Sequence, residues 1–182
     1  MGAHLMGSND VSHVSDRMNA EGDGQMLQIE EMELLLVPWL ESEMAALVRA
    51  IVTGVARRHA DLRAAILFGS VARHEARPLD DAEPSDVDLL LVFDLEPALD
   101  HLPLERRLAV SHTIGLAEDQ HRAAPREVNV LTAVGNLGDW DSTFVENVAR
   151  DGILLWSRGP LPRPFASLPT LDEARKAVAQ TS

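Results

Sequence analysis

Residues 66–94 read ILFGSVARHEARPLDDAEPSDVDLLLVFD. Two apolar runs bracket a polar middle. The first ends on Gly69-Ser70, and the second starts among two acids, Asp86 and Asp88. An unbroken apolar run of this length predicts a strand over Val87–Phe93, buried on both faces. Ala64–Phe68 predicts a shorter buried strand. Residues i and i+2 of a strand share a face, so Asp86 and Asp88 project together while Val87 points into the core. Two neighbouring carboxylates repel, and in apolar surroundings one takes up a proton unless a cation sits between them. A hard dication such as Mg2+ resolves this, because it accepts a few carboxylates together with phosphate oxygens. The competing reading is a strand-entry turn, with Ser85 and Asp86 accepting local backbone hydrogen bonds.

Gly69-Ser70 decides how these acids are read. Glycine lets a backbone approach a ligand closely. Ser70 adds a hydroxyl and its own N–H. A helix over SVARHEA (70–76) would aim free N–H groups at an anion. Arg73 and Arg77 add positive charge there, or else are plain surface charge. One half of the site then suits phosphates and the other a metal that bridges them, an arrangement that stabilises charge developing in phosphoryl or nucleotidyl transfer.

Outward from this stretch, residues 1–28 are polar and aperiodic and are expected to be a disordered leader. Helical character begins near Met32 and breaks at Val37, before Pro38. A helix over 41–59 carries Met44, Leu47, Val48, Ile51, Val52 and Val55 on one face, with Arg57 and Arg58 in its last turn. RHEARPLDDAEP (73–84) is a loop. Residues 103–121 predict a helix containing Leu104, Leu108 and Ile114, and EVNVLTAV (127–134) a third strand. GNLGDWD (135–141) is turn-rich. Asp141 or Ser142 caps a helix to Arg150, Gly152 stops it, and ILLW (153–156) is a fourth strand. From Ser157, Pro160, Pro162, Pro164 and Pro169 predict an extended tail, 158–182, with a short helix over 172–180. The fold class is therefore α/β (α+β): a mixed sheet of about four strands with helices packed on it, spanning 29–157. Trp39, Trp140 and Trp156 are expected to pack rather than stack on a base.

The 182 residues suit one domain, and cysteine is absent, which excludes disulfides, thiolate nucleophiles and cysteine zinc sites. The formal charge of −13 argues against broad nucleic-acid binding and favours cationic small molecules or basic proteins. No apolar run approaches the length of a membrane span, and no targeting segment is evident, so a cytoplasmic location is expected.

LFGSVAR…SDVDLLLVF resembles the core of the nucleotidyltransferase superfamily that includes DNA polymerase beta, above all its minimal bacterial members. Their pattern is a strand, Gly-Ser, a short helix, then Asp-x-Asp opening the next strand. The motif covers 66–93, and the order of elements continues to Trp156. The resemblance implies that Gly69 and Ser70 hold the β- and γ-phosphates of a nucleoside triphosphate, ATP by preference, with Arg73 beside them. It implies that Asp86 and Asp88 coordinate Mg2+ and carry the catalysis. Active members have a third carboxylate on the following strand, where this chain has Asn129, which is neither charged nor a base. Glu127, two residues earlier on the same face, has a longer arm. His74 stands where many relatives carry glycine, and 15 residues separate Ser70 from Asp86, more than in compact members.

Such members transfer AMP to a hydroxyl, often as antitoxins that modify a helical HEPN-type toxin, and an aminoglycoside-type acceptor is a second version. The alternative from another class is a non-catalytic module of the same fold that binds a protein or nucleotide. Asn129 is the residue that divides them.

Overall fold

The 3-4 spacing of apolar residues builds α1 (Ser42–Arg58), whose Met44, Leu47, Val48, Ile51, Val52 and Val55 are all buried. In this computed structural model the described residues are 34, 36–94, 102–134, 140–161 and 163–169, with Glu173, Lys176, Ala179 and Gln180. After α1 come β1 (Leu62–Phe68), a single helical turn α2 (Gly69–Ala72), β2 (Val87–Phe93), α3 (Leu104–Gln120), β3 (Val128–Val134), α4 (Ser142–Asp151) and β4 (Ile153–Ser157).

The strands form one mixed sheet in the order β3-β2-β1-β4. β1 pairs antiparallel with β2 and with β4, whereas β2 and β3 are parallel and are joined through α3. A parallel neighbour requires a crossover, and α3 supplies it. The two central strands are apolar apart from Arg63 in β1 and Asp88 in β2, because both faces are covered. On one face Ala64, Ile66, Leu90, Val92 and Ala133 pack with Val148 of α4, Leu154 and Phe165. α1 packs against α3 and β1, and His59, just past α1, lies edge-on to Phe93. Asp141 caps α4, its carboxylate accepting from the Phe144 N–H at 2.9 Å, and Gly152 ends it. Among the described residues no helix is long and apolar enough to cross a membrane.

Four local expectations change. Leu34, Leu36 and Val37 are not helical, and a turn follows at Pro38-Trp39. The helix expected over 70–76 is only one turn, because the chain leaves helical geometry at His74, with φ 59. The helix expected over 103–121 is present as α3, but its apolar residues do not all face inward, which is the third change: Leu104 and Leu108 are each 61% exposed, and Val110, Thr113 and Ala117 form its buried side. The proline-rich tail is not simply extended: Phe165–Ser167 makes a 3-10 turn that sinks Phe165 and Leu168 into the core. Prolines keep this segment out of the sheet, but its two large apolar side chains still gain by leaving water. The expected leader, 1–28, and the turn-rich stretch at 135–139 lie outside the described residues. Of the expected helix over 172–180, Glu173, Lys176, Ala179 and Gln180 are described and are helical.

Candidate active site

β1 and β2 run antiparallel with Phe68 opposite Asp88, so the end of β1 and the start of β2 meet at one end of the central strands. That register brings Gly69-Ser70 against the acid pair. Gly69 has φ +76, a left-handed conformation that glycine tolerates, and a side-chain carbon added there would collide with Asp88 Oδ2. The glycine is thus required twice, by the turn and by the carboxylate packed on it.

Asp88 is half-buried and Asp86 exposed. Burial pushes the Asp88 carboxyl above its ordinary value; a hydrogen bond from Asn129 opposes this, and the Asp86 charge adds to it. Asp86 makes no hydrogen bond or ion pair among the described residues, and Asp88 receives only the Asn129 bond. The arginines Arg73, Arg77 and Arg126 are engaged with other acids. Arg73 pairs with Glu75 at 2.8 Å, Arg77 with Glu83 at 3.2 Å, and Arg126 with Glu41 at 2.8 Å. Two mutually repelling carboxylates, one of them partly desolvated and neither neutralised by a protein cation, are a donor set that fits a hard dication with its remaining positions open to water or substrate oxygens. Among the described residues no group of three or more His, Cys, Asp or Glu stands close enough to hold a metal.

The third position is filled as the strand register dictates. β2 and β3 align Asp88 with Asn129, and Asn129 Nδ2 donates to Asp88 Oδ1 at 3.1 Å. Glu127 lies just before β3, and its backbone carbonyl accepts from the Val87 N–H at 2.9 Å. Its exposed side chain has no hydrogen bond or ion pair among the described residues.

At Gly69-Ser70, the first N–H groups of a helical turn have no partner within it. The Ser70 hydroxyl is likewise without a hydrogen bond among the described residues. α2 is too short to carry a useful macrodipole, so its N–H groups and the Ser70 hydroxyl are what it offers. Arg73 stands at the end of the turn, exposed. Its surface pair with Glu75 is worth less than about 1 kcal/mol, so turning to another anion costs little. Arg77 lies farther along the loop, where its N–H donates to Ser85 Oγ at 2.9 Å.

Three residues with no motif to flag them also shape the site. Trp39 donates from Nε1 to the Val71 carbonyl at 2.8 Å and stacks on His74, with ring centroids 4.8 Å apart. That contact holds His74 in the conformation a glycine would take freely. Arg126 joins Glu41 to the carbonyls of Arg77 and Ser85. Nothing in the sequence ties positions 39 and 41 to positions 71 and 126; only the fold does.

The architecture is a mixed sheet in which Gly-Ser closes one strand and Asp-x-Asp opens its neighbour. No family model and no curated protein matches the chain. Among solved structures it is similar to a toxin–antitoxin complex with AMP-PNP, at 16% identity over 73% of this chain and 87% of that one, with a TM-score of 0.43. It is similar to a mutant of the toxin–antitoxin pair MntA–HpeT at 16% identity, over 72% of this chain and 85% of that one, with a TM-score of 0.39. It is also similar to a candidate nucleotidyltransferase from Sulfolobus solfataricus at 22% identity, over 65% of this chain and 89% of that one, with a TM-score of 0.36.

Proposed function

We propose that the chain is a Mg2+-dependent nucleotidyltransferase that moves a nucleoside monophosphate, AMP from ATP by preference, to an acceptor hydroxyl. The observation that carries this is the meeting of Gly69-Ser70 with an Asp86/Asp88 pair that no described cation neutralises, at one end of the central strands. The N–H groups of the α2 turn and the Ser70 hydroxyl bind the β- and γ-phosphates, and Arg73 swings from Glu75 to join them. Asp86 and Asp88 would hold Mg2+, which when bound supplies positive charge for the triphosphate and the leaving group. The acceptor oxygen bonds to the α-phosphorus, the bridge to the β-phosphorus breaks, and pyrophosphate leaves with the bonding electrons. The hydroxyl proton passes to water or to a carboxylate of the pair, since Asn129 cannot take it.

The acceptor is proposed to be a hydroxyl of a protein partner, in the manner of an antitoxin acting on a helical HEPN-type toxin. The chain's charge of −13 suits a basic surface on such a partner. A second reading, a nucleotide- or partner-binding module without chemistry, is favoured by the Asn129–Asp88 hydrogen bond in the place of a third carboxylate.

One experiment separates them. The protein is incubated with Mg2+ and α-labelled ATP, with and without a co-expressed partner, beside Asp86→Ala and Asp88→Ala. Label transfer that both substitutions abolish supports the enzyme. Mg2+-dependent nucleotide binding without transfer supports the module. If neither ligand raises the melting temperature, both the metal and the nucleotide site claims fall, because a ligand of the native state must stabilise it.

A further inference from the structure

One short segment reaches both halves of the site. Residues 37–41 precede α1. Val37 and Leu40 are buried, and the Leu40 N–H donates to the Val37 carbonyl at 3.2 Å, closing a turn between two anchors. Trp39 leaves that turn and donates to the Val71 carbonyl at 2.8 Å, within the helical turn of Gly69 and Ser70. Glu41, two residues on, accepts from Arg126 Nε at 2.9 Å. The Arg126 side chain is only 8% exposed. Its Nη1 donates to the carbonyls of Arg77, at 2.9 Å, and of Ser85, at 3.0 Å, the residue before Asp86.

We propose that residues 37–41, acting with Arg126, form a strap that sets the spacing between the phosphate turn at Gly69-Ser70 and the carboxylates Asp86 and Asp88. This rests on the nucleotide-binding reading of that site. The loop of 15 residues between the two halves has no helix or strand beyond the first turn to hold it. Left to itself, such a loop samples many end positions, and each displaces Asp86 relative to Ser70. The strap removes that freedom at both ends, through Val71 at the start and Ser85 at the finish. Arg126 is suited to its place because a planar guanidinium presents several donors in fixed directions, here to one carboxylate and two carbonyls, whereas an ammonium cannot. Trp39, Glu41 and Arg126 touch no ligand; they are positioning residues.

The test uses the full chain and two simple probes, Mn2+ and tripolyphosphate, titrated calorimetrically well below the melting temperature. Arg126→Lys and Glu41→Gln each weaken Mn2+ binding about tenfold. The double variant is no weaker than Arg126→Lys alone, because both changes break one linkage. Trp39→Phe keeps a ring against His74 but loses the N–H. It weakens tripolyphosphate binding severalfold in the presence of Mn2+ while leaving Mn2+ binding alone unchanged. Variants that melt earlier but bind both probes as the parent does overturn the strap and leave the nucleotide reading standing. A parent chain that binds neither probe overturns that reading, and the strap with it.

Discussion

Asn129 and Asp88 face each other across the parallel pair β2–β3, and the Asn129 amide donates to Asp88 Oδ1 at 3.1 Å. The register is the one that would set a third carboxylate against the Asp86/Asp88 pair. An amide there stabilises the chain by binding a carboxylate that a third acid would repel. Under the proposed metal binding, stability without metal and affinity for it would be opposed at this position.

Asn129→Asp should invert the balance. Without Mg2+ the variant melts lower, by on the order of 2–4 °C, because a hydrogen bond becomes a like-charge contact. With Mg2+ its gain in melting temperature exceeds that of the parent, and nucleotide transfer rises if the parent shows any. Thermal melts with and without Mg2+, beside the label-transfer assay, check this. An unchanged response to Mg2+ would show that Asn129 lies outside any metal site.

Asp88→Asn moves the other way. The folded-state pKa of Asp88 is raised, by burial first and by the Asp86 charge as well. The folded chain therefore holds this proton more tightly than the unfolded chain, and stability falls as pH rises through the unfolded value of 3.8 toward the folded one. At neutral pH the ionised group is a liability in the metal-free chain. The neutral amide, which can still accept from Asn129, should raise the melting temperature by on the order of 2 °C and abolish the response to Mg2+. A lower melting temperature without metal would contradict the electrostatic account.

His59 should make the chain acid-sensitive from the far end of the sheet. It is buried, and its Nδ1 lies 3.2 Å from Arg106 Nη2, which also donates to Asp61 Oδ1 at 2.5 Å. Burial, then the Arg106 charge, hold its pKa below 6.5; Arg58 acts in the same direction and Asp61 against it. The unfolded chain is protonated first as pH falls. The stability tied to neutral His59 is thus fully present above pH 6.5 and lost below it. Urea midpoints measured from neutral pH down to about pH 5 should decline in the parent and flatten in His59→Gln. Equal slopes would assign the decline to other groups.

Phe165→Ala tests whether the tail belongs to the core. The side chain is fully buried among residues of β1, β2 and α4. Its truncation should cost about 3–5 kcal/mol, read as a lower denaturant midpoint with little change in slope. A cost below about 1 kcal/mol would mean that the 3-10 turn is only loosely seated.

Amino-acid order alone determined the elements and the motif. The 3-4 spacing from Met44 to Val55 makes α1, the apolar run Leu89–Phe93 makes the body of a central strand, and Gly69-Ser70 with Asp86 and Asp88 stand at strand ends. These are local properties: periodicity, burial demand and turn chemistry act within a few residues. Only the tertiary structure decided which strands are neighbours, and hence that Asn129 bonds to Asp88. It alone showed that His74 is held in glycine's conformation by Trp39, that Glu41 meets Arg126, and that Phe165 returns to the core. Each joins residues about 30 or more positions apart in the chain, where no pattern in the sequence records the contact. The physical reason is that register and packing are settled by burying all the apolar faces at once, and that condition belongs to the whole chain rather than to any stretch of it.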